Sequence, residues 1–216
     1  MRGRLACAVL VLLPSIAAAD GGGSLVVADP KGALGDQASV AGGVSGHYAL
    51  PLGSPFFSLR LEGSALLYGT ETIHLPVVGT AGRINREITT DNWIVQAGAG
   101  PQVVFPTGRV RPYIHGFAGV SYMSTDSHLR DPYGFVSAYS TNYDDTGFSW
   151  GGGGGLLIPL HGGGKSIDLG VRYVRTESMR FLAEGDLGAD GVAVPHRGHA
   201  DVLEFHVGFV VGERPR

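Results

Sequence analysis

From Asp201 to Val211 the chain alternates with a period of two. Leu203, Phe205, Val207, Phe209 and Val211 fall on one face; Val202, Glu204, His206, Gly208 and Val210 fall on the other. Successive side chains of a strand point to opposite faces, so the run reads as one strand with an apolar face and a mixed polar face. At roughly 3.3 Å per residue it is long enough to cross a hydrocarbon core of ~30 Å when tilted by about 45°.

The same pattern predicts eight extended segments: 23–29, 38–50, 56–70, 91–105, 112–125, 146–159, 166–177 and 200–212. In 56–70, Phe57, Leu59, Leu61, Ala65 and Leu67 oppose Ser58, Arg60, Glu62, Ser64 and Tyr68. In 166–177, Ile167, Leu169, Val171 and Tyr173 oppose Asp168, Gly170 and Arg172. Segment 91–105 sets Trp93, Val95, Ala97, Ala99, Val103 and Phe105 against Gln96, Gly98, Gly100 and Gln102, and 146–159 sets Phe148, Trp150, Leu156 and Ile158 against glycine and serine. The connections alternate in length. Pro51–Pro55, Pro106–Arg111 and Leu160–Lys165 are short and carry Pro or Gly, as tight turns do, whereas Glu71–Thr90, Asp126–Asp145 and Ser178–His199 are long and read as loops. Antiparallel strands reverse direction at each connection, so the short turns share one side with both chain ends and the long loops share the other. Pro101 breaks the pattern of segment 91–105, and a bulge after Gly98-Ala99-Gly100 is expected to accommodate it.

Ahead of these segments, Arg2 and Arg4 precede an uncharged apolar run, Leu5–Leu13, which ends in Ala17-Ala18-Ala19 before Asp20. A basic start, a short apolar core and small exit residues predict a secretory signal peptide over 1–19, with the barrel over 20–216. Its loss removes the single cysteine, Cys7, and moves the formal charge from -3 to -5 by taking away Arg2 and Arg4. The chain has 36 glycines in 216 residues and only 16% charged residues, against about 25% in soluble domains. Mild acidity with two lysines, Lys31 and Lys165, excludes a nucleic-acid partner, which calls for clustered cations.

Export signal, even strand number, short turns opposite long loops and alternating faces together resemble the small eight-stranded outer-membrane β-barrels, the OmpA/OmpX-like group. The resemblance implies an all-β fold, an eight-stranded antiparallel up-and-down transmembrane barrel in the bacterial outer membrane. No complete catalytic set accompanies this pattern, so a non-enzymatic envelope role is expected, with outer-membrane lipid, the barrel-insertion machinery and an extracellular ligand as partners, and no cofactor. Alternation by itself leaves the facing open. A soluble lipocalin-like barrel would turn the apolar face inward around a ligand, but its outer face would then be rich in Lys and Glu, and here the second face is mostly Gly, Ser, Ala and Gln.

With the apolar face outward, Arg60, Glu62, Gln96, Gln102, His115, Asp168, Arg172, Glu204 and His206 point into the lumen. Lone charges in a narrow lumen are costly and paired ones tolerable, so a pairing network that plugs the barrel is expected, with Arg172 the partner of Glu204. Tyr133, Phe135, Tyr139 and Tyr143 in the second long connection are candidates for external contact, and equally for an interfacial aromatic belt. Gly147-Phe148-Ser149-Trp150-Gly151 has the spacing of a nucleophile elbow, and a lipid-acting hydrolase using Ser149 with a histidine such as His115 is the enzymatic alternative. The elbow requires a strand–turn–helix setting, whereas Gly152–Gly155 lead into another extended run. His161–Ser166 is read as a hairpin turn rather than a phosphate loop, and His196, His199 and Asp201 lack a full metal-ligand set.

Overall fold

The structure, a computed structural model, describes residues 19–54, 56–79, 82–106, 109–130, 136–161, 163–183, 186 and 195–212. Almost all of the expected export signal lies outside the described residues. Among the described residues, nine strands and one short helix follow in order: β1 (Asp20–Lys31), α1 (Gly32–Gly35), β2 (Ala41–Ser54), β3 (Phe57–Gly79), β4 (Gly82–Val104), β5 (Arg111–Arg130), β6 (Val136–Pro159), β7 (Lys165–Thr176), β8 (Ser178–Phe181) and β9 (His196–Val211). Every neighbour is antiparallel, and β9 pairs with both β7 and β1, from Gly21↔Val211 to Lys31↔Asp201, so eight strands close into a ring.

The facing follows the alternation. Phe205, Val207 and Phe209 are 52%, 59% and 63% exposed, while Glu204 between β7 and β1 is 1% exposed. Leu25, Val27, Val44, Leu61, Val95, Ile114, Val120, Trp150, Leu156, Leu169 and Val171 are also exposed. A belt of exposed aliphatic residues around the whole ring is far larger than a water-soluble monomer tolerates, and it matches the hydrocarbon of a bilayer. The lipocalin-like arrangement, with the apolar face inside, is therefore excluded.

Strand lengths depart from the sequence reading. β3 and β4 stay paired from Gly69↔Asn92 to Gly79↔Gly82, so most of the expected loop Glu71–Thr90 is hairpin. β5 and β6 likewise stay paired through Asp126↔Thr141 to Arg130↔Val136, inside the expected loop Asp126–Asp145. These stretches are rich in β-branched residues (Thr72, Ile73, Val77, Val78, Ile84, Ile88, Thr89, Thr90), which favour strands whether or not lipid surrounds them. β2 also runs through Pro51 to Ser54, and the irregularity between Pro51 and Ser54 leads into the turn.

Two further corrections concern local geometry. No bulge accommodates Pro101. It pairs with Leu59 on the β3 side, while on the β5 side the ladder passes from Ala99↔Ala118 to Gln102↔His115 in unchanged register. A Cβ on Gly116 would stand 3.3 Å from the Pro101 Cδ, so glycine opposite the ring makes room for it. The expected loop Ser178–His199 instead begins with β8, which continues the path of β7. β7 pairs Val174 with Val202, and β8 pairs Ser178 with His199, one residue out of step. That slip turns Met179 and Phe181 inward, both 1% exposed, and leaves Ser178 and Arg180 outside.

The interior is layered. At the long-connection end, Leu34 of α1, Met179 and Phe181 of β8, and Val26, Ala28, Ala41, Leu66, Tyr68, Ile94, Met123, Ala200 and Val202 form one apolar cluster. At the short-turn end Val104, Tyr113, Leu157 and Val210 form another. The polar side chains lie between them. The turn into β7 carries Gly163 (φ 77°) and Gly164 (φ 67°), a left-handed pair that L side chains adopt only with strain, and Leu160 N–H donates to the Lys165 carbonyl across it at 2.9 Å.

Phe205→Arg places a charge near mid-depth on the lipid face and is expected to destabilise the barrel by about 2–4 kcal/mol, whereas Val211→Arg at the rim costs about 0–1 kcal/mol. Denaturant titration of both variants refolded into lipid vesicles measures the difference.

Candidate functional site

The inward positions of five strands converge on the middle layer. Parity puts Arg60, Glu62 and Ser64 of β3 inward, with Gln96 and Gln102 of β4, Tyr113 and His115 of β5, Asp168 and Arg172 of β7, and Glu204 and His206 of β9; all are buried. Arg172 stands opposite Glu204 in the β7–β9 ladder, and its Nη2 lies 2.7 Å from both carboxylate oxygens. The same nitrogen reaches Ser64 Oγ at 2.9 Å and Gln96 Oε1 at 3.0 Å, while Nη1 lies 3.1 Å from Glu62 Oε1. Arg60 donates from Nε to Glu62 Oε2 at 2.6 Å and from Nη1 to Gln102 Oε1 at 3.0 Å. His115 Nε2 lies 3.6 Å from Glu62 Oε2. Below this group, Tyr113 donates to Asp168 Oδ1 at 2.8 Å, and His206 Nε2 lies 3.1 Å from the phenol oxygen and 3.6 Å from Asp168 Oδ2.

Two guanidiniums thus face two carboxylates, Glu62 and Glu204, at contact distance, while Asp168 is held by Tyr113 and His206. The aromatic rings add further support: the Arg172 guanidinium sits 5.2 Å from the Phe117 ring centre, and that of Arg60 sits 5.7 Å from the Tyr113 ring centre. Such pairs persist in a dry interior only when each charge keeps its partners, because leaving one unpaired exposes the full desolvation cost.

The glycines make this packing possible. Six of the large inward polar groups stand beside a glycine on a neighbouring strand: Glu62↔Gly98 and Arg60↔Gly100, His115↔Gly153 and Tyr113↔Gly155, His206↔Gly170 and His47↔Gly22. A Cβ on Gly155 would sit 2.7 Å from the Tyr113 hydroxyl, and one on Gly170 would sit 2.5 Å from His206 Cε1, closer than real atoms approach. The run Gly151–Gly155 therefore supplies the space that the β5 rings occupy.

Tyr113 and His47 escaped the sequence reading. Segment 112–125 alternates poorly from its starting proline, and His47 is flanked on its face by the small, uncharged Ser45 and Ala49, so no charged partner on its own strand marks it. The parity that marked Arg60 would have marked both. Among the external candidates, Tyr139 is exposed, with its ring 5.0 Å from that of His128, and Tyr143 lies half-buried, 5.7 Å beneath the Arg180 guanidinium; Tyr133 and Phe135 lie outside the described residues. The hydrolase constellation is not brought together. Ser149 points inward and is fully buried, and the ladder places His115 opposite Gly153, four residues along β6. His196 and His199 fall on opposite faces of β9: His196 Nε2 lies 3.0 Å from Asp186, and His199 Nδ1 donates to the Thr176 carbonyl at 2.7 Å.

A closed eight-stranded ring with a lipid-compatible exterior and a packed polar interior defines a small outer-membrane β-barrel. The chain belongs to the family described as "Outer membrane protein beta-barrel domain", whose match spans residues 5–208, and it is a protein of the bacterial outer membrane. No curated protein matches it significantly. Among solved structures it is similar to Ail, the attachment invasion locus protein of Yersinia pestis, solved in complex with the heparin analogue sucrose octasulfate (10% identity, 91% of this chain and 99% of that one covered, TM-score 0.48). It is also similar to Neisserial surface protein A (12% identity, 90% and 97% covered, TM-score 0.47) and to OprG of Pseudomonas aeruginosa (15% identity, 90% and 95% covered, TM-score 0.41).

Glu204→Ala leaves the Arg172 guanidinium buried with its bidentate partner gone and is expected to cost about 3–5 kcal/mol in denaturant titrations, whereas the paired replacement Arg172→Met with Glu204→Leu should be near neutral. Gly155→Val, which drives a side chain into Tyr113, should abolish refolding as judged by heat-modifiable gel mobility.

Proposed function

We propose that the protein is a non-enzymatic component of the outer membrane that makes contact with molecules outside the cell through its extended hairpins, on a barrel closed by its own side chains. The observation that carries this reading is the uneven rim. β2 leaves β3 at Gly42↔Leu67, whereas β3, β4, β5 and β6 continue together well beyond that level. From Thr72 to Gly79, β3 has no strand on the side away from β4 among the described residues. An open edge of this kind is a template for pairing with an extended polypeptide. Outer-membrane lipid, the barrel-insertion machinery and an extracellular ligand held by this sheet are the partners of this reading.

A closed lumen fits the same role. The middle layer leaves a cavity of about 10 Å³ among Arg60, Glu62, His115, Arg172, Glu204 and His206, room for about one water molecule and too little for a hydrated ion. Apolar clusters lie on either side of it. Eight-stranded barrels are filled by side chains, and open aqueous channels need about 16 strands.

Trimming the hairpin by joining Gly69 to Asn92 through a short turn should leave insertion intact and abolish retention of displaying cells on surfaces coated with extracellular protein; undiminished retention would overturn the contact role. Reaction with a fluorophosphonate probe that Ser149→Ala removes would instead establish the hydrolase. In planar bilayers the wild type should show no steady conductance, and a large, stable one would exclude the plugged lumen.

A further inference from the structure

The barrel wall is stepped where β2 begins, and a cavity of about 490 Å³ lies in the step. The β1–β2 ladder stops at Ala28↔Ala41 and the β2–β3 ladder at Gly42↔Leu67, whereas β3 runs on. Beyond Leu67 the edge of β3 that faced β2 has no strand partner among the described residues. Tyr68 and Gly69 at this edge line the cavity, and so do residues 37–40 of the β1–β2 connection. Volumes of roughly 300–1,000 Å³ are those of small-molecule sites.

The lining sets the chemistry. Val27, Val40, Ala41, Leu67 and Ala183 give apolar walls, and Tyr68 adds an aromatic one. Gln37 and Ser39 are exposed, and their side chains make no hydrogen bond among the described residues. No acid or base lines the cavity among the described residues. An ionised group entering it would lose water without gaining a counter-charge, which is costly. Inward the cavity is blind. Ala41 and Tyr68, 2% and 5% exposed, belong to the apolar cluster that closes this end of the barrel with Leu34, Leu66 and Met179. The Tyr68 hydroxyl donates to the Leu182 carbonyl at 3.0 Å and so fixes the ring in that wall. A molecule that enters is held and does not pass through. We propose that this cavity binds a small uncharged molecule with an apolar body and an amide group. The amide carries a donor and an acceptor side by side, as a strand does, and it completes the open β3 edge at Gly69. Gln37 and Ser39 supply the remaining polar contacts. The site is separate from the edge beyond Thr72 that carries the contact role, so either reading can fail without the other.

The test uses the protein refolded into phosphatidylcholine nanodiscs, with N-acetyltryptophanamide and N-acetyltryptophan as probes. The two share one body and differ by a single negative charge at neutral pH. Saturation-transfer NMR reads binding, and hydrogen exchange of the Gly69 amide reads its place. The amide should bind the wild type and slow exchange at Gly69, and the carboxylate should bind about tenfold more weakly or worse. A Cβ at the outward-facing Gly42 meets only the Val26 carbonyl, at 3.9 Å, so Gly42→Leu extends into the cavity without strain. It should weaken amide binding by about the same factor, whereas Ser39→Lys, which supplies a cation, should strengthen binding of the carboxylate. Absence of binding to the wild type, equal binding of both probes, or binding that leaves Gly69 exchange unchanged would each overturn the proposal. Equal amide binding by wild type and Gly42→Leu would mean partition into the bilayer only and would overturn it too. Should Gly42→Leu not refold, Ser39→Trp on the exposed connection obstructs the same mouth, and undiminished binding there counts equally against the site.

Discussion

The narrowness of an eight-stranded ring governs everything inside it. Side chains entering from all strands at one level exceed the space available, so large residues must alternate with absent ones around the circumference. The structure meets this constraint through pairings such as Tyr113↔Gly155 and His206↔Gly170, in which one strand supplies the ring and its neighbour supplies only backbone. The abundance of glycine, which in a soluble protein would signal flexibility, is here the negative image of the lumen's side chains.

Tight quarters also dictate chemistry. Arg172, on β7, touches a carboxylate and a hydroxyl oxygen on β3, an amide oxygen on β4 and a carboxylate on β9, so one cation ties four strands together across the axis. Such a tie contributes less to net stability than its short distances imply, because both charges lost water to make it. Its larger effect is on register: a slip by one residue would send every lumen charge into lipid and every aliphatic residue inside.

Facing was legible from the sequence because period-two alternation is strict in β3, β7 and β9, and Arg60, Asp168 and Glu204 could be placed from it directly. Strand ends were not legible, since the expectation tied them to membrane thickness while Thr72, Ile73, Ile88 and Thr89 keep pairing in water. The inward cap of β8 was hidden for a different reason. A one-residue slip near Glu177 exchanges the two faces, so Met179 and Phe181 enter the core against the parity that β7 sets. No local composition announces such a slip.

The β1–β9 seam joins the first strand of the ring to the last, along eleven residue pairs from Gly21↔Val211 to Lys31↔Asp201. Until that seam forms, two rows of backbone N–H and C=O groups would face hydrocarbon unpaired, each at a cost of several kcal/mol. A partly synthesised chain has no stable place in the bilayer, and insertion becomes nearly all-or-none. The most sequence-distant contacts in the barrel are thus the ones that license residence in the membrane, so assembly is slow by topology and incomplete products are left for proteolysis.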